Sequence, residues 1–487
     1  MSKILSAVLR LGVMASGLFI CLFADSVRET SSGFLGSIVT EINAVLRDPQ
    51  TQWLIFLCLG IYFVAFPFFY FRRGEFRESQ FSSHSILGLG PPVFTHPMFW
   101  LACVLLINAV VYAFNYSPSI QAITLLAGAV LGQGAAVWTC FEMRNQKSDV
   151  RNNFGVLVVS LLMILLVLAS VWNVDSGLVF EYRSHARWSG PWDNPNIFGL
   201  LMGMGIVLAI GSAVLNFGFL VFSKSNAGSW KGYGRWWKVI FVVLCLIAAG
   251  LMARGLLHSY SRGAWMAAIC GLAYLVNKVF SFPRLRQRLR RGEQFSTFSQ
   301  WLRRNAPFLA IIVLSLCALA FWQSRQTDGA IARRAVSVGN MNDFSWRNRL
   351  SAWEGALQIM AEHPWLGAGW NQPERMYDNY YRPVKSEEAA AIYLNDYFML
   401  GATLGIPALF CFGMYIWLSL KQNSEFDKSE IRGVDWSKTV CRAGAIVLLV
   451  GFWFDGGLFN LPTASMFWIL LELGVARSTP AKIAVPA

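Results

Sequence analysis

Apolar runs long enough to cross a bilayer recur along this chain of 487 residues, and they restrict it to one architectural class. A helix crossing the hydrocarbon core needs about 20 mostly apolar residues, each rising about 1.5 Å. About twelve such runs are present: 4–23, 53–71, 97–114, 119–141, 154–173, 197–222, 238–256, 263–280, 307–324, 392–420, 440–454 and 464–477. The last two are short. Lipid offers no partner to a backbone N–H or C=O, so each run has to satisfy its own polar groups as a helix. Only 14% of the residues are charged and 55% are hydrophobic, which leaves no room for a long soluble domain. The expected fold is all-α, a polytopic membrane protein of about 12 transmembrane helices with one large, partly helical outer loop at 325–391. The first run reads as a retained span, because Arg10 interrupts it and no small-residue cleavage site follows.

A net charge of +14 raises the question of nucleic acid, and its distribution answers it. The loop 281–306 holds seven arginines, among them Arg284, Arg286, Arg288, Arg290 and Arg291. Placing that loop in the cytoplasm puts both termini there too. The cytoplasmic segments then carry 22 of the 41 Lys and Arg residues and the outer loops 13, of which eight lie in 325–391. Long loops count little in setting orientation, so the asymmetry reads as membrane topology, and no nucleic-acid partner is expected.

The nine cysteines lie in or at the ends of apolar runs and read as small buried hydrophobes. The five histidines are scattered, and no Asp-x-Asp pair is present to hold a divalent cation beside a sugar nucleotide. No metal and no cofactor is expected.

Three polar motifs fall on one side of this topology. The first is Arg187-Trp188-Ser189-Gly190-Pro191-Trp192-Asp193-Asn194-Pro195-Asn196. Gly and Pro set a sharp turn, and Asn194 or Asn196 caps the next helix. Trp188 and Trp192 read either as sugar platforms or as members of an interfacial aromatic belt. The second is His258-Ser259-Tyr260-Ser261-Arg262-Gly263-Ala264-Trp265, preceded by Arg254. Here a guanidinium and a helix N-terminus share one anion, or Arg262 snorkels to lipid headgroups. The third lies in the long loop. Trp346, Leu350, Trp353, Leu357 and Met360 recur at helical spacing and predict an amphipathic helix ending near Pro364. Arg347 and Arg349 fall off that stripe, facing either lipid phosphates or a diphosphate below the helix. Gly367 and Gly369 allow a tight turn, and Trp370, Tyr377, Tyr380 and Tyr381 are candidates to stack on sugars. The parts together describe a ligand with a lipid tail, an anionic linker held by Arg262, Arg349 and Arg187, and a polar glycan head.

In order and spacing these motifs resemble the O-antigen ligase and polymerase superfamily of bacterial envelope glycosyltransferases. The resemblance covers roughly residues 180–475. It rests on Gly190 to Asn196, Ser261 to Ala264, Arg349 four residues before Trp353, Pro364 to Gly369, and Asn395-Asp396-Tyr397-Phe398 with Gly405 ten residues after Asn395. It divides the chain into N-terminal transmembrane helices at 1–180 and a ligase-like transmembrane region at 181–487. It implies a glycosyltransferase of the bacterial inner membrane, with its active face outward. Such a protein moves a glycan from an undecaprenyl-diphosphate carrier to a hydroxyl acceptor on lipid A core or another glycan. Arg262 and Arg349 would bind the diphosphate, with Arg187, Asn196, Asn395 and Trp353 as further substrate-binding positions. In one respect the chain departs from the pattern: Leu394 stands where the family carries a histidine, the base. Asp396 is the nearest carboxylate and the expected proton acceptor, ahead of His363, Asp378, Glu387 and Glu388. Without any base, positioning and diphosphate stabilisation would have to suffice. The alternative functions are a transporter or flippase of lipid-linked glycan and an inactive scaffold.

Topology is directly testable. On intact spheroplasts an impermeant thiol reagent is expected to label Ser337→Cys and spare Ser296→Cys; the reverse pattern overturns the orientation.

Overall fold

The computed structural model describes residues 97–115, 119–145, 153–171, 181–182, 185–192, 194–222, 233–280, 344–383, 389–426 and 436–475, with a few isolated positions elsewhere. The expected spans 53–71 and 307–324, most of 4–23, the basic loop 281–306, Asp193, Ser296, Ser337, Glu387 and Glu388 lie outside the described residues.

Helices dominate what is described. They are α1 (Pro97–Asn115), α2 (Ile120–Asn145), α3 (Asn153–Val171), α4 (Pro195–Phe222), α5 (Tyr233–His258), α6 (Arg262–Phe280) and α7 (Phe344–Glu362). Then follow α8 (Gln372–Met376), α9 (Asp396–Leu404), α10 (Ile406–Phe426), α11 (Trp436–Phe454) and α12 (Leu461–Val475). Two short strands, β1 (Glu181–Tyr182) and β2 (His185–Ala186), pair antiparallel with Glu181 opposite Ala186. Among the described residues, stretches of α1, α4, α5 and α11 are long and apolar enough to cross a membrane, and α2, α3, α10 and α12 carry shorter apolar stretches. The chain is a multi-pass membrane protein.

Eight of the expected spans appear as single helices, α1 to α6, α11 and α12. The run 392–420 does not. It is broken into the end of a 3-10 turn (Ala389–Leu394), α9 and α10. The break is at Gly405, whose φ of 88° suits glycine. An added Cβ there would lie 2.3 Å from the Trp365 carbonyl oxygen, and one at Gly367 would lie 2.3 Å from the Thr403 carbonyl carbon. The two backbones are in direct contact. Ala368 N–H donates to the Ala402 carbonyl (2.8 Å), Gly369 N–H to Thr403 (3.1 Å) and Ile406 N–H to the Pro364 carbonyl (2.8 Å). Pro364–Gly369 thus satisfies the carbonyls that α9 leaves open at its end, and hydropathy cannot show such a cap.

By its contacts the chain divides into two compact units. The first comprises residues 1–154, 342–435 and 452–487, and the second residues 155–341 and 436–451. In the first, every residue of α12 from Pro462 to Gly474 is buried. Gly128 and Gly132 of α2 form a notch for Trp468, since a Cβ at either would come within 2.8 Å of it. Small residues let helices approach in this way where lipid weakens the hydrophobic drive. One turn beyond, Gln133 Nε2 donates to Glu472 Oε1 (2.9 Å), which also accepts the Tyr415 hydroxyl from α10. On α1, Asn108 donates to the Ala122 carbonyl (3.3 Å) and accepts from Trp370 Nε1 (2.9 Å). In the second unit, α4 is the buried centre, and its Gly203, Gly205 and Gly211 meet Ala264, Met252 and Val440.

The Gly405 break gives a stability test. Gly405→Ala forces a Cβ into backbone and is expected to cost more than about 1 kcal/mol, read as a lower melting temperature in detergent. Gly413→Ala, where a Cβ meets nothing within 4 Å, is expected to be neutral or stabilising. Equal shifts for both would refute this account of the break.

Candidate active site

Helix α7 runs from Phe344 to Glu362, as the periodicity predicts, but it buries a different face. Leu350 and Leu357 of the predicted stripe are 46% and 50% exposed, while Met360 of that stripe is buried together with Asn348, Arg349, Ala352, Gly355, Ala356 and Ile359. Small side chains decide the packing here. A Cβ on Gly355 would lie 2.5 Å from the Tyr377 ring, so the tyrosine fills the notch that glycine leaves. Arg349 therefore lies on the buried face, not off it.

Its guanidinium is held from three sides within the first unit. Nε donates to the Phe454 carbonyl (3.1 Å), Nη1 to Ser345 Oγ (3.2 Å) and Nη2 to Asp455 Oδ1 (3.0 Å). The two charged side chains are 9% and 2% exposed, so this is a buried ion pair. Asp455 ends α11 and begins a turn whose Gly456 and Gly457 have φ of 72° and 132°. Sequence reading missed Asp455. It sits between two apolar runs that looked too short to be secure, and the Gly456-Gly457 pair after it was the available signal.

The Asn395-Asp396 motif packs on the same turn. Asn395 Oδ1 caps α9, accepting from Tyr397 N–H and Phe398 N–H at 3.1 Å each. Its buried Nδ2 has no partner among the described residues, and neither has the buried Nε1 of Trp353. Trp353 sits edge-on to Trp346, Phe398 and Trp453. The Asp396 carboxylate is 3% exposed and points into the turn, where Oδ2 accepts the Leu458 N–H at 2.7 Å. Helix α9, nine residues long, lies outside the apolar stretch 406–421. Leu394 packs in an apolar cluster with Ala352, Ile359 and Met360.

The loop aromatics separate into two kinds. Trp370 and Tyr377 are fully buried, whereas Tyr380 is 76% exposed. Arg382 pairs with Asp378 at 2.8 Å.

In the second unit the two remaining motifs meet. Arg187 Nε donates to the Ser259 carbonyl (2.8 Å) and Nη2 to Asn196 Oδ1 (2.7 Å). Asn194, followed by Pro195, is the cap of α4: its Oδ1 accepts the Asn196 N–H at 2.9 Å. Trp188 stacks on His258 at 4.3 Å with Arg254 5.1 Å from its ring centre, and Trp192 is buried near Phe198. Tyr260 holds a left-handed φ of 51°, and Ser261 caps α6 by accepting the Ala264 N–H at 3.2 Å. Arg262, 4% exposed, is the first residue of α6. Arg334, from the long loop, donates Nε to the Tyr260 carbonyl at 3.2 Å and was not foreseen. Successive carbonyls of a strained turn are thus each held by an arginine.

Residues 247–413 match the family described as O-antigen ligase. That segment is similar to an O-antigen ligase domain. The matched segment contains Arg262, Arg349, Asn395 and Asp396; Arg187, Asn196 and Asp455 lie outside it. No curated protein matches the chain. The match, with the apolar helices, supports a role in O-antigen or polysaccharide biosynthesis at a membrane.

Removing one partner of a buried pair strands the other charge. Arg349→Ala and Asp455→Leu are each expected to destabilise by about 3–5 kcal/mol, and Arg349→Met with Asp455→Leu by much less. Additive losses in thermal unfolding would refute the pair.

Proposed function

We propose that this protein transfers a glycan from an undecaprenyl-diphosphate carrier to a hydroxyl of lipid A core or of another glycan chain, at the outer face of the bacterial inner membrane. The observation that carries the reading is Arg349: a buried guanidinium within the matched ligase segment, fixed from three sides. Pre-oriented donors stabilise developing charge without reorganising during the reaction.

The acceptor oxygen forms a bond to the anomeric carbon as the bond to the diphosphate oxygen breaks, with inversion. The leaving lipid diphosphate keeps the electron pair, and Arg349 neutralises the charge that builds on it. Asp455 and the Phe454 carbonyl orient the guanidinium. Within the second unit, Arg262 at the N-terminus of α6 and Arg187, tied to Asn196, are the anion-binding positions that the sequence resemblance implies. Asn395 and Trp353, within the matched segment, are further substrate-binding positions that the resemblance implies. Leu394, packed among apolar side chains, offers no base. The diphosphate is already a good leaving group, so the acceptor proton passes to water and catalysis rests on positioning and charge stabilisation.

Proteoliposomes loaded with undecaprenyl-diphosphate glycan and a lipid A core acceptor test this. Arg349→Ala and Arg262→Ala are each expected to lower transfer about 100- to 1000-fold, the loss typical of a removed oxyanion donor. Lysine is expected to restore little, lacking the bidentate fork. Translocation of the donor with no transfer by the wild type would overturn the reading in favour of a transporter.

A further inference from the structure

Asp396 makes contacts that point away from proton transfer. Its Oδ2 accepts the Leu458 N–H at 2.7 Å. The turn it holds is tightly enclosed. A Cβ on Gly456 would lie 2.5 Å from the Tyr393 carbonyl oxygen and 3.6 Å from Asp396 Oδ1. One on Gly457 would lie 2.8 Å from Thr463 Oγ1, and that hydroxyl donates to the Gly457 carbonyl. Asp455 leaves the same turn and pairs with Arg349.

We propose that Asp396 is a positioning residue: it anchors the Gly456–Leu458 backbone, and through it sets Asp455 so that Arg349 is aimed for the diphosphate. This assigns Asp396 a role other than the proton acceptor expected from sequence. It rests on the transfer reading for its consequence, but not for its geometry.

The two roles separate under substitution. Asparagine keeps a carbonyl oxygen for the turn and loses basicity; alanine loses both. Positioning predicts that Asp396→Asn retains transfer within about tenfold of wild type, with an unchanged pH profile between about pH 6 and 9, while Asp396→Ala falls at least about 100-fold, chiefly in kcat. Action through Asp455 predicts non-additivity, so that Asp396→Ala costs little more once Asp455→Asn is present. Equal loss in Asp396→Asn and Asp396→Ala, or additive losses in the double variant, would overturn the proposal.

A second measurement does not depend on transfer. The drop in melting temperature caused by Asp455→Asn is expected to shrink in the Asp396→Ala background and persist in Asp396→Asn. An undiminished drop beside Asp396→Ala means the turn holds Asp455 unaided, and the proposal fails even if transfer is confirmed. A diminished drop in a protein that transfers nothing leaves the positioning intact and removes the proposed reaction instead.

Discussion

A helix that stops inside an apolar bundle leaves carbonyl groups without partners, and the first unit is built around meeting that demand. Ala402 and Thr403 end α9, and the N–H groups of Ala368 and Gly369 reach them. Closing that contact brings the backbone of the Pro364–Gly369 stretch against that of 403–406, which glycine alone permits at positions 367 and 405. With α9 held short, its N-terminus is free to carry Asn395 and Asp396. Those two in turn cap the helix and anchor the turn after α11. The ion pair of Arg349 with Asp455 is downstream of all this. A buried pair gains little net stability over apolar packing, so its presence argues for a task.

Hydropathy resolves helices where each apolar run is a single span, and that covers most of the described fold. It fails at 392–420 because a glycine that breaks a helix and a glycine within one look the same in sequence. Only the partner stretch at 364–369 distinguishes them, and it lies some forty positions away. The face of α7 was misjudged for a related reason. Periodicity assigns the largest apolar residues to the inside, but here the small ones, Ala352, Gly355 and Ala356, are buried and let neighbours pack closely. Leu350 and Leu357 were left outward.

The arginines were legible because a guanidinium in an apolar setting is costly and so stands out. Their partners were not. Asp455 follows an apolar run whose end was uncertain, and Arg334 lies in a long loop with no periodic signal. The aromatic residues show the same limit. Composition marks Trp370, Tyr377 and Tyr380 alike, while the structure buries the first two and exposes the third. Whether an aromatic side chain is scaffold or surface depends on the cavity next to it, here the notch at Gly355 and the amide of Asn108.

The bond from Trp370 to Asn108 also bears on biogenesis. The two residues lie 262 positions apart, so α1 is synthesised long before its partner emerges. Until then Asn108 has the Ala122 carbonyl for its amide N–H, while its Oδ1 waits in an apolar helix. An amide oxygen left so in an apolar setting is costly, because it has no water to bond. Docking of the long loop removes that cost. Completion of the first unit's loop and satisfaction of this buried amide on α1 are then the same event.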